Sequence, residues 1–268
     1  MFALFKTKNI LDEGTTQWLF DSFRWALENF DARLFQQHTQ LILANDHFFP
    51  DQATSPDKVA DLLLQRMLEY SAMQQWPCRA HPVQNQADTP PAPHIHIENA
   101  LRGPLAEISL EGSEWIKIPY DPSALHQPDA LIAALAQNLA ILLGRAIPIS
   151  PPGGEELRGA ATDLLAIFLG FGLFITNNAF NIKRGCGGCG TTPSVQIMGE
   201  LTEEQMCYAL AIFCHLKRID NQAVLPHLKK TLHKLFKRAR KEIQHQPQEL
   251  SRLDAAIRLQ ITEDQTIN

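Results

Sequence analysis

Apolar residues recur at helical spacing over residues 15–38. Leu19, Phe23, Ala26, Leu27 and Phe30 share one face, and Asp21, Arg24, Glu28 and Asp31 fall among the intervening positions. Leu41-Ile42-Leu43 is short and apolar, closed by Asn45-Asp46 and Pro50, and predicts a strand. Ser55-Pro56 is a helix start, a capping residue followed by proline at the first helical position, and Val59, Leu62, Leu63, Arg66, Met67 and Tyr70 continue that helix on one mostly apolar face. Residues 82–93 carry turn formers and amides with almost no apolar side chain, so they predict a loop. His94–Glu98 and Trp115–Ile118 alternate at period two and predict strands. Helices are expected over about 128–144, 155–177 and 202–218, with a final helical region over about 223–260. The expected class is α+β, with most of the helix in the C-terminal two-thirds, a small N-terminal α/β portion and a short sheet. The loop at 82–93 divides an N-terminal subdomain, 1–82, from a larger domain, 94–268, unless the two form one continuous domain.

Composition changes this picture little. The chain has 268 residues, 45% of them hydrophobic and 20% charged, which is ample for a sizeable core. Its net charge of -5 exerts no global pull toward nucleic acid or anionic lipid. Charge appears too early in Met1–Lys8 for the apolar core of a signal peptide. The longest apolar run, Leu164–Ile175, is far short of the roughly 20 residues of a spanning helix and predicts a buried one. Five cysteines, an odd number, argue for reduced thiols rather than a disulfide framework, and so for a cytoplasmic protein.

The chemistry of interest lies in two segments, Leu135-Ala-Gln-Asn-Leu-Ala-Ile-Leu-Leu143 and Thr162-Asp-Leu-Leu-Ala-Ile-Phe-Leu-Gly-Phe-Gly172. Together they resemble bacterial zincin-type metallopeptidases. In that family a helix reading L-A-H-E-L-A-H-x-L-L precedes a second one reading E-x-L-T-D-L-L, followed by F-L-G-x-G. Gly199–Phe213, Asp46–Pro50 and Trp76-Pro77 fit the same frame, so the resemblance spans most of the chain.

The resemblance implies a zincin-like fold and a definite site. Histidines four residues apart on one helix face grip a zinc ion, and the glutamate after the first takes a proton from the metal-bound water. A glutamate on the next helix is the third ligand, and an aspartate one turn later holds a ligand in place. Here Gln137 stands at the first histidine position, Asn138 at the base, Ile141 at the second histidine and Gly159 at the third ligand; only Asp163 matches. Neutral amides neither offset a dication nor act as bases near neutral pH, and isoleucine has no donor atom. The expectation is a catalytically inactive relative without a metal or cofactor, acting through a protein or peptide partner or as a structural component. The competing reading is an ordinary core helix over 128–144, with Leu131, Ala134, Leu135, Leu139 and Leu142 as its apolar positions.

Other features compete for function. Cys186-Gly-Gly-Cys189 can present two thiolates to a structural zinc, but two more ligands are needed. Cys207 and Cys214 lie seven residues apart on one helix, about 10.5 Å along its axis, too far to share an ion easily. His94, His96 and Glu98 share one strand face, a geometry open to a metal but more common as plain surface. The segment 226–241 carries seven cations, from Lys229 to Lys241, and no acid. It is a solvated helix docked on the core or, alternatively, an electrostatic binder of polyanions. Nucleic acid is not the expected partner.

Overall fold

The computed structural model describes residues 9–51, 55–83, 93–184 and 200–266. Helix α1 (Glu13–Asn29) starts where the Asp12 carboxylate accepts the Thr15 N–H at 2.8 Å, satisfying one of the free donors of the first turn. The helix expected to reach residue 38 breaks sooner. Asp31 turns to φ 63°, and its side chain accepts the Leu34 N–H to start α2 (Ala32–Gln37). Apolar spacing runs unbroken through the turn because Phe23 and Leu27 on one side and Leu34 and Phe35 on the other are all buried. Helix α3 (Pro56–Tyr70) follows Ser55 as expected, without a capping bond from the serine hydroxyl.

Four short strands form two two-stranded sheets among the described residues. Strand β1 (Cys78–Pro82) runs parallel to β4 (Ile116–Tyr120), and β2 (His94–Asn99) pairs antiparallel with β3 (Ala106–Glu111). The fold is therefore α+β, with helix dominant. Residues on both sides of 84–92 meet in the β1–β4 pairing and share one hydrophobic cluster, Met67 and Phe23 from one side and Ile116 and Phe168 from the other. The strand expected at Leu41–Leu43 does not form; Ile42 donates its N–H to the carbonyl of Gly170 at 3.0 Å, so this segment rests on a helix instead.

That contact explains a second correction. Helix α4 (Pro128–Arg145) forms as expected, but the single helix expected over 155–177 is split into α5 (Arg158–Ala166) and α6 (Gly172–Arg184). Between them is a π-helical turn, Ile167–Phe171, in which Gly170 adopts φ 103° and meets residues 40–42. The run Gly154–Ala179 has the length and apolarity to cross a membrane; 89% of its apolar stretch is buried inside the protein. Helix α7 (Glu203–Leu216) opens on a capping box between Thr202 and Gln205. The final region is α8 (Asn221–Val224), α9 (His233–Ile243) and α10 (Pro247–Thr266). Helix α9 docks Phe236, Ala239 and Ile243 on the core. Within its basic stretch Arg240 donates to the Ile219 carbonyl at 2.8 Å and Arg238 pairs with Glu242 at 3.0 Å, while Lys234, Lys237 and Lys241 remain exposed.

Two cations finish helix ends from a distance. Lys217 Nζ donates to the carbonyls of Phe35 and Gln36 at 2.6 and 2.7 Å, at the end of α2. Arg102, only 3% exposed, donates through Nη1 to the C-cap carbonyl of α3, Ser71, at 3.1 Å and through Nη2 to that of α1, Phe30. Burial pushes its guanidinium down to about 10, with Asp31 opposing. An Arg102→Met variant keeps most of the packing but orphans both carbonyls. It is expected to lose about 2–3 kcal/mol of stability, measured by urea unfolding; an unchanged midpoint would mean that these caps contribute nothing.

Candidate functional site

Helices α4 and α5 pack side by side and carry the five positions singled out in the sequence. Gln137 and Asp163 meet in the core, at 1% and 0% exposure, where Gln137 Nε2 donates to Asp163 Oδ1 at 2.6 Å. The other carboxylate oxygen accepts the backbone N–H groups of Glu200 and Leu201 at 2.8 and 3.0 Å, which tethers the chain just ahead of α7. Burial pushes the Asp163 carboxyl up to about 6, against the lowering effect of the bonds from Leu201, Gln137 and Glu200. Gln137 Oε1 finds no partner among the described residues.

The remaining positions diverge from that pair. Asn138 directs its amide to the Pro119 carbonyl at 3.0 Å and to Ala134, one turn back, at 3.1 Å, which ties α4 to β4. Ile141 lines two cavities, one on each side of it. The first, about 260 Å³, lies between α4 and α5, with Gly159, Thr162, Trp25 and Glu200 in its wall. A side chain at 159 would project directly onto the Glu200 carboxyl group, whose carbon lies 2.5 Å from the place of its Cβ. The second is a groove of about 510 Å³ walled by β2, β4 and α4. Ile95, Ile97, Ile116 and Ile118 line it, and the exposed cations Lys117 and Arg145 edge it; Arg145 reaches both cavities.

The groove runs along an open strand edge. Ile116 donates to Pro77 and Tyr120 accepts from Val83, so alternation turns these residues toward β1 and the backbone groups of Lys117 and Pro119 away from it. The Pro119 carbonyl is already held by Asn138, and among the described residues no strand pairs with this edge.

Cys186 and Cys189 lie outside the described residues. Cys78, Cys207 and Cys214 are free, and burial pushes each thiol up to about 12, so none supplies a ready thiolate. Sequence reading passed over Glu200 and Arg145 as site residues. Both stand outside the histidine-spaced positions, and only packing brings them to the cavity. Compared with protein-family models, with curated proteins and with solved structures, the chain matches none.

Proposed function

We propose that the chain is a non-catalytic, zincin-like protein that binds an extended peptide segment of a protein partner along β4. One observation carries this reading: Asp163 holds Gln137 at 2.6 Å, as a supporting aspartate holds a ligand in the resembling family, with an amide in place of an imidazole. The support of the site persists while the position it supports has no charge and no base. Ile141 and Gly159 add no donor atom, and Asn138 is spent on β4 and its own helix. The zincin-like architecture, a cytoplasmic location and the absence of a metal at these positions belong to the same proposal. The buried, unpaired thiols support the location.

An inactive cleft can still bind. A peptide laid against β4 would take the free backbone groups of Lys117, place alternate apolar side chains among Ile95, Ile97 and Ile141, and set an acidic group near Arg145. Peptides selected from a random library on the full chain should be apolar at alternate positions with a carboxylate. An Ile141→Glu variant should weaken them tenfold or more, while Leu259→Glu, on an exposed side chain elsewhere, should not. Equal binding to both variants would refute the groove. For the inactive site, the zinc-loaded chain is expected to cleave none of the library. Peptide turnover that vanishes on Gln137→Ala or Asn138→Ala would sink that half of the proposal.

A further inference from the structure

The outer face of the β2–β3 hairpin gathers two imidazoles and a carboxylate. Pairing sets His94 opposite Glu111 and His96 opposite Ser109, and alternation puts both histidines on the side away from Ile95 and Ile97, which pack on the core. The ligand atoms of His94, His96 and Glu111 all lie within 4.8 Å of one another. His96 Nε2 is 3.8 Å from a Glu111 oxygen, and the two rings meet edge to face with centroids 4.9 Å apart. The carboxylate that completes the group is therefore Glu111, across the sheet, rather than Glu98, further along β2.

These facts describe a ligand set. Zinc binds imidazole nitrogen and carboxylate oxygen at about 2.0–2.2 Å, which puts neighbouring ligand atoms about 3–4 Å apart. Small rotations of three exposed side chains reach that spacing from the present one. The backbone beneath needs no adjustment, because Ile108 and Leu110 of β3 hold the hairpin to the core beside Ile95 and Ile97. All three side chains are exposed and open to an incoming ion. Two imidazoles select zinc-like transition ions over magnesium and calcium, which prefer all-oxygen sets.

We infer that His94, His96 and Glu111 bind one divalent transition-metal ion of the zinc class on the hairpin surface. The ion clamps β2 to β3, and three protein ligands leave a coordination position open to water or to a donor from a partner. The inference does not depend on the peptide-binding proposal or on the positions around Gln137.

The test is a calorimetric titration of the full chain with zinc in a Cys186→Ser, Cys189→Ser background, which removes two thiols that would compete for the ion. One equivalent of zinc is expected to bind. His94→Ala with His96→Ala should weaken it at least tenfold and Glu111→Gln severalfold, whereas Glu98→Gln, on the same face, should leave it unchanged. Absence of saturable binding in the parent would overturn the site. So would a double histidine variant that binds as tightly as the parent, and a Glu111→Gln variant with full affinity would overturn the three-ligand assignment.

Discussion

Replacing Asp163 by alanine is expected to lower the stability of the fold by about 4 kcal/mol. The substitution leaves two buried donors, Gln137 Nε2 and the Leu201 N–H, and the part-buried Glu200 N–H without their acceptor, and it frees the chain where it enters α7. Asp163→Asn should behave quite differently. Its carbonyl can still accept from Glu200 and Leu201, and its amide can donate to Gln137 Oε1, the atom that now has no partner, once the Gln137 amide turns over. Near neutral pH the asparagine variant should lie within about 1 kcal/mol of the parent or above it, because it no longer keeps a charge in the core.

The sign of the pH effect separates these accounts. Burial raises the folded carboxyl from 3.8 to about 6, so the native state holds its proton more tightly than the unfolded chain does. The stability contributed by the protonated acid is fully present below about 3.8 and is lost as pH rises through about 6. The difference amounts to about 3 kcal/mol. Urea unfolding of the parent and Asp163→Asn from pH 4 to pH 7 should show the parent losing about that much relative to the variant. Parallel pH profiles would show that Asp163 is not the buried acid described here.

Gly170→Ala should be at least as damaging, with a loss above about 3 kcal/mol and poor yield of folded protein. At φ 103° an L side chain is strained, and a Cβ there would strike the carbonyl oxygen of Gln40, which is backbone and has no rotamer to change. The substitution would also push away Ile42, whose N–H is bonded to the Gly170 carbonyl. Gly112→Ala is the matched control. It too has positive φ, 73°, but nothing lies within 4 Å of its Cβ, and about 1 kcal/mol is expected. Similar unfolding midpoints for the two variants would show that the docking of residues 40–42 does not hold the helix break in place.

The same contrast marks how far the sequence could be read. Helix α4 is legible because its apolar positions repeat over five turns, and α3 because Ser55-Pro56 announces its start. Strand β2 shows its alternation openly. Strand β3 carries the same alternation in Ala106–Glu111, but it is short and lies between two turns, so its pattern is less legible. Strand β1 has no such pattern, since Cys78–Pro82 is buried at one end and ends in proline. The breaks at Asp31 and Gly170 leave the apolar period intact, because both sides of each break face one core. Only the segment packed against Gly170 reveals the second break.

For the candidate site, the sequence by itself determined the chemistry of four positions: Gln137, Asn138, Ile141 and Gly159 carry no charge, no base and no imidazole whatever surrounds them. It also pointed to burial of the Leu164–Ile175 run, since a continuous apolar stretch too short to span a membrane is driven into the core. Which side chains meet was decided by tertiary structure alone. Asp163 reaches 26 residues back to Gln137 and 37 ahead to Glu200, and Glu111 arrives beside His94 through strand register. Such contacts depend on how distant segments close on one another, and no local pattern of residues records that.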